Sequence, residues 1–242
     1  MCTVSWSNQP NGYTLFFNRD ESRKRQDGVP PELGTHKSTQ FICPRDPEGG
    51  GTWLLVNAYS LTLGLLNFYE ADVNYQPAVR RSRGNLPLEY AHCKQLTEVE
   101  AALAESDFSS YPPFHFLAVG NSGEAFLMTW DGQEKVVSRP QWEDLPISTS
   151  SFKTSEVMDR RKQLFKSQMM EASDLIQRME AYHTAKNPSP DTHAVLMTRP
   201  DAKTVSVTRI DVNHSEVKMT YCARLDDSSQ LELPVTKTLS RR

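Results

Sequence analysis

No stretch of this 242-residue chain is apolar for long enough to cross a bilayer. Its longest apolar runs, Trp53–Val56 and Leu61–Phe68, are short and interrupted, whereas a spanning helix needs about 20 such residues. No charged segment followed by an apolar one opens the chain, so no secretory leader is expected and the cytoplasm is the expected location. An excess of one charge is missing too: 27 Lys and Arg against 30 Asp and Glu give a net charge of −3. No global field therefore recruits nucleic acid. Cysteine is sparse, at Cys2, Cys43, Cys93 and Cys222 only. None forms a C-x-x-C pair or lies at ligand spacing from a histidine, and no His-Glu-x-x-His occurs. No metal or other cofactor is expected, and without an export signal the thiols should be free. The triple glycine Gly49-Gly50-Gly51 lacks the Gly-Lys-Ser/Thr ending of a phosphate cradle and reads as a tight turn. With 38% apolar and 24% charged residues, no repeat and no linker-rich boundary, the chain reads as one globular domain.

What is present concentrates in the first two dozen residues. Two β-prone runs, Cys2–Trp6 and Tyr13–Phe17, flank the turn Gln9-Pro10-Asn11-Gly12 and predict a hairpin. That hairpin returns Asn18-Arg19-Asp20-Glu21-Ser22-Arg23 to the start of the chain. Removal of Met1 would make Cys2 the terminal residue. Its thiol (reference pKa roughly 8.5) and its α-amine (roughly 7.7–8.0) would then supply nucleophile and base from one residue, the demand of acyl transfer. Arg19 would favour the thiolate, and Asp20 would hold the ammonium. Taken alone, a cysteine at position 2 is ordinarily a packing residue.

Met1-Cys2-Thr3 together with Phe16-Phe17-Asn18-Arg19-Asp20-Glu21-Ser22-Arg23 resembles the NRDE family, which includes the transport-and-Golgi-organisation proteins. Weaker matches continue at Gly50–Leu54, Val56-Asn57 and Leu65–Phe68, and thin after about Ser150. That family is similar to N-terminal-nucleophile (Ntn) hydrolases of the choloylglycine hydrolase and penicillin acylase type. The resemblance implies an α+β fold, a four-layer αββα sandwich of two mainly antiparallel sheets, with Cys2 at the end of a central strand. It implies hydrolysis or acyl transfer at non-peptide C–N amide bonds of a small molecule. Cys2, Arg19, Asp20 and Asn67 are the expected catalytic residues, Asn67 as oxyanion donor. Glu21, Arg23, Asn57 and Thr149 are the expected substrate-binding residues.

Three departures from the pattern stand out. The acidic residue follows the arginine directly rather than by three positions, so Asp20 and Glu21 both compete to orient the amine. Ser148-Thr149-Ser150-Ser151 replaces a Thr-Asn-Asn-Pro segment. Leu55 and Ser60 stand where the family places glycines. This last departure favours a rival, a non-catalytic binding or trafficking protein handling lipid, coenzyme A or haem.

Along the rest of the chain, Asp27–Lys37 reads as a loop, and Arg19, Arg23, Lys24 and Arg25 ring the mouth of the expected site, the last two as solvated charge. Strands are expected at 39–43, 52–57 and 61–69. Helical spacing runs from Ser82 to Ser110, with a capping box at Thr97-x-x-Glu100 and a wet face at Arg80, Arg81 and Arg83. A hairpin turns at Asn121-Ser122-Gly123. A strand follows at 134–138, and 147–152 lies at the expected second polar site. Apolar positions from Val157 through Ala172 to Tyr182 predict one long helix or two abutting ones. Three antiparallel strands are expected at 192–198, 204–212 and 216–224, then an irregular tail from Asp226.

Overall fold

The computed structural model describes residues 2–71, 81–170, 174–186, 191–228 and 230–242. The chain opens with the predicted hairpin, β1 (Cys2–Gln9) and β2 (Gly12–Ser22). Only glycine fits at position 12, because a Cβ there would run into the Val212 carbonyl. Next come β3 (Val29–His36), β4 (Thr39–Arg45), β5 (Leu54–Asn57) and β6 (Thr62–Asn67). The expected loop at 27–37 is thus mostly a strand. Pro30 and Pro31 are tolerated because β3 is outermost in its sheet and its register with β4 slips between Val29 and Glu32.

A 3-10 turn (Arg83–Asn85) leads into α1 (Leu86–Glu89), and α2 (Leu96–Glu105) follows. The expected capping box is not used. The helix starts before Thr97, with Gln95 in the cap position, and Glu100 instead pairs with Arg139 at 2.7 Å. After β7 (Phe114–Val119), β8 (Ala125–Trp130), β9 (Lys135–Ser138) and β10 (Ile147–Thr149), the long apolar stripe divides into α3 (Thr154–Met169) and α4 (Leu175–His183). Ala172 of that stripe lies outside the described residues, as does Arg80.

The chain ends with β11 (Ala202–Val212), β12 (Glu216–Ala223) and β13 (Val235–Ser240). Two expectations fail here. Residues 192–198 form turns rather than a strand, apart from one bridge between Thr198 and Lys203. Their carbonyls are taken by side chains: Ala194 by Arg161, Val195 by Asn18 and Met197 by Arg224. The tail is not irregular throughout, since β13 pairs with β12. As an edge strand it buries only Leu239, so its sequence carries little apolar signal.

Two antiparallel sheets result, in the orders β10-β1-β2-β11-β12-β13 and β3-β4-β5-β6-β7-β8-β9. Val4, Leu15 and Phe17 of the first share one core with Ile42, Val56 and Leu117 of the second. Phe165, Met179 and Tyr182 of α3 and α4 cover the outer face of the first sheet. Leu86, Val99 and Leu103 of α1 and α2 cover that of the second, against Phe41, Leu63 and Phe116. The architecture is therefore a four-layer αββα sandwich. Among the described residues no helix is long and apolar enough to cross a membrane.

The layer between the first sheet and its helices is unusually polar. Ser5 Oγ lies 2.7 Å from His183 Nε2, and Asn18 Oδ1 lies 2.6 Å from His183 Nδ1. Burial, reinforced by the charge of Arg161, pushes the His183 pKa down to about 3. The unfolded chain takes this proton near the ordinary value of 6.5, while the folded chain refuses it until about pH 3. The associated stability is complete above pH 6.5 and is lost as pH falls, at about 1.4 kcal/mol per unit. His183 alone should therefore account for about 2 kcal/mol of the stability lost in urea unfolding between pH 6.5 and 5, and His183→Gln should show a dependence shallower by about that amount. His115, lowered to about 4 by burial, contributes to the remaining slope, as do His92 and His193, both lowered chiefly by burial.

Candidate active site

In the first sheet β1 lies between β10 and β2, with Cys2 opposite Thr149 on one side and Arg19 on the other. Directly opposed residues project from the same face of a sheet, so Cys2, Arg19 and Thr149 all point toward the second sheet. Their neighbours in sequence alternate to the other face, where Thr3 and Asp20 meet α3.

Cys2 is only 6% exposed and lines a cavity of about 520 Å³ between the two sheets, with Arg19, Glu21, Trp53 and Asn67. Its main-chain nitrogen donates to Thr149 Oγ1 at 3.2 Å. Arg19 lies over Trp53 with its guanidinium carbon 4.0 Å from the ring centroid, and its Nη2 is 3.1 Å from Glu21 Oε2. Gly28 closes that stack from behind, where a Cβ would come within 2.5 Å of the indole.

Burial raises the Cys2 thiol to about 11. The positive chain terminus opposes that rise and the Asp20 carboxylate adds to it; the Asp20 backbone hydrogen bond and Arg19 pull the other way. At neutral pH the sulfur is accordingly a thiol, and any attack by it requires a base.

The cavity gathers Cys2, Arg19, Asp20, Glu21 and Asn67, with Thr149 on the nitrogen of Cys2. Asn67 ends β6, and its Nδ2 donates to Tyr69 Oη at 2.8 Å. Glu21 also reaches Arg25 at 3.6 Å. Asp20 turns its carboxylate to α3, where Thr204 Oγ1 donates at 2.6 Å and Arg161 lies at 3.4 Å. Arg23 lines a neighbouring cavity, donating to the Arg199 carbonyl at 2.8 Å and pairing with Asp227 at 2.7 Å. Asn57 is remote from the cavity and fully buried. Its Nδ2 donates to the carbonyls of Ala91 and Cys93 at 3.0 and 2.7 Å, and its Oδ1 accepts from the amides of Tyr59 and Leu61. Its amide staples the β5–β6 turn to the segment after α1.

Sequence reasoning missed five contributors. Trp53 carried no signal beyond its apolar run. Arg25, read as solvated, pairs with Asp46 at 2.6 Å on the cavity wall. Arg81 and Arg83, read as a wet face, line the same wall. Arg161 is the largest fully buried side chain, donating to Thr3 Oγ1 at 2.6 Å and to the Ala194 carbonyl at 2.7 Å. One signal for it existed: Val157, Arg161 and Phe165 share a four-residue spacing on the buried stripe of α3.

The model of the family described as Transport and Golgi organisation 2 matches residues 1–226. The chain belongs to that family. A search of curated proteins finds no match. Among solved structures, the chain is similar to an N-acylethanolamine-hydrolyzing acid amidase orthologue from Caenorhabditis elegans. That likeness has a TM-score of 0.62 at 10% identity, covering 88% of this chain and 93% of that one. It is also similar to the C2A mutant of conjugated bile acid hydrolase from Clostridium perfringens, at TM-score 0.60 and 11% identity, covering 100% and 97%. Penicillin V acylase from Agrobacterium tumefaciens gives TM-score 0.58 at 11% identity, covering 93% and 84%. At such identities the likeness establishes the shared sandwich fold alone.

Proposed function

We propose that the chain is a cysteine N-terminal-nucleophile hydrolase or acyltransferase acting on non-peptide C–N amide bonds, with Cys2 as nucleophile once Met1 is removed. One observation carries this reading: the sulfur and the nitrogen of Cys2 sit together at the end of a central strand beside an open cavity. The freed amine takes the thiol proton as sulfur attacks the amide carbon, and Thr149 Oγ1 fixes the nitrogen. Arg19 offsets the charge that develops on sulfur. The Asn67 amide faces the cavity as donor to the tetrahedral oxyanion. The amine then returns its proton to the leaving nitrogen, and water or another nucleophile releases the acyl group from sulfur. The likeness to three enzymes whose names denote amide substrates supports the choice of bond.

Intact mass tests the reading, since a species lacking Met1 is required. Labelling by an acyl electrophile should fall on Cys2, disappear in Cys2→Ala and persist in Cys93→Ala. Asn67→Ala should lower kcat on an N-acyl anilide by about 10²–10³, with the Cys2 label retained on prolonged incubation. A second reading, a non-catalytic binding or trafficking protein of the family, draws on the burial of Cys2 and its raised pKa. Mature protein that keeps Met1 would decide for it.

A further inference from the structure

Next to the Cys2 cavity lies a smaller one of about 320 Å³, and Asp20 and Glu21 form a wall common to both. Its most constrained side chain is Arg199, which precedes β11 and is only 3% exposed. Arg199 Nη2 donates to Ser151 Oγ at 3.2 Å and to Asp201 Oδ2 at 3.1 Å. The guanidinium carbon stands 5.4 Å from the Phe152 ring centroid. Its main chain is held as well, donating to the Ala202 carbonyl at 2.9 Å and accepting from Arg23 Nε at 2.8 Å. Yet Nε and Nη1 are buried with no hydrogen-bond partner among the described residues. Buried donors of a fixed cation are seldom left empty, because an unmet charged donor loses its hydration without compensation.

The charges around it point the same way. The acids on the common wall are already engaged, Asp20 by Arg161 and Thr204, Glu21 by Arg19 and Arg25. Asp201 is 70% exposed, so water screens its pull on Arg199. Lys24 lines the cavity and has no ion-pair partner among the described residues. Arg23 stands beside it, balanced by Asp227. Positive charge therefore borders a space large enough for a group of several heavy atoms, and the two unmet donors of Arg199 are buried in its wall.

We propose that this side cavity is an oxyanion-binding site, with Arg199 as its anchor and Lys24 at its rim, for the carboxylate or phosphate group of a small ligand. Guanidinium groups suit both oxyanions, since hydrogen bonds between ions are shorter and stronger than neutral ones. The site stands independently of any reaction at Cys2, so retention of Met1 leaves the expectation unchanged.

Isothermal titration of the full chain with inorganic phosphate and, separately, with acetate tests it. One saturable site is expected for at least one of the two, and the stronger arm tells phosphate from carboxylate. Arg199→Gln should weaken that binding about tenfold or more, whereas Cys2→Ala should leave it intact. Lys24→Gln removes an exposed side chain and should weaken binding by a smaller factor; this variant decides the matter if Arg199→Gln does not fold. Absence of saturable binding by both anions into the tens of millimolar overturns the proposal. So does binding unaffected by Arg199→Gln or, where that variant is unfolded, by Lys24→Gln.

Discussion

Cys2→Ala should abolish turnover of an acyl amide, with kcat falling by at least about 10⁴. Loss of a nucleophilic sulfur alone would give that result in any thiol enzyme, so a second form of the protein is the sharper comparison. Chain that retains Met1 keeps the sulfur, Arg19, Asn67 and the cavity unaltered, but its Cys2 nitrogen is an amide and cannot accept a proton. It should be as inactive as Cys2→Ala. The physical reason lies in the thiol itself, held near pKa 11 chiefly by burial. Near pH 7 the thiolate fraction of such a group is about 10⁻⁴, too small to sustain attack unless a neighbouring base takes the proton. Activity of the trimmed chain should therefore rise with pH around the range of an α-amine, roughly 7.7–8.0. A rise continuing tenfold per unit toward the thiol's own pKa would show that the amine takes no part, and activity in chain that keeps Met1 would do the same.

The second large effect concerns stability. Arg161 and Asp20 are both buried, with side-chain exposures of 1% and 0%, and α3 reaches the first sheet through this pair. Arg161→Met keeps most of the side-chain volume but removes the guanidinium that faces the Asp20 carboxylate. Removing one partner of a buried ion pair costs about 3–5 kcal/mol, and the hydrogen bonds lost to the Thr3 hydroxyl and the Ala194 carbonyl add to it. Denaturant unfolding should show that loss at pH 7. Asp20→Asn in the Arg161→Met background should restore part of it, because an amide carries no charge to bury. A loss below about 1 kcal/mol would mean that water reaches the pair and that it behaves as a surface contact.

Sequence and structure agree most closely where the signal is local. The turn at Gln9-Pro10-Asn11-Gly12 and its two flanking runs specify the first hairpin, because both the turn and the alternation act over a few residues. Asn121-Ser122-Gly123 does the same for the β7–β8 hairpin. Agreement is poorest where a residue's state depends on distant chain. Asn57 and Asn67 look alike in sequence, each an asparagine closing an apolar run. Asn57 is consumed by carbonyls 34 and 36 residues away, while Asn67 opens onto the Cys2 cavity. Arg25, Arg81 and Arg83 read as solvated charge because spacing along the chain says nothing about the wall they meet.

By itself the sequence determined the hairpin that carries Cys2, the helical stripe of α3 and α4 and the motif that marks the family. These rest on turn chemistry, on residue periodicity and on the identity of adjacent residues, all of which are properties of a short length of chain. Only the tertiary structure decided which polar groups converge on Cys2, which are spent on structure, and that Arg199 is enclosed with two donors unmet. Burial and hydrogen-bond partnership are set by segments far apart in sequence, so a polar residue's surroundings become defined only once the sheets and helices have packed.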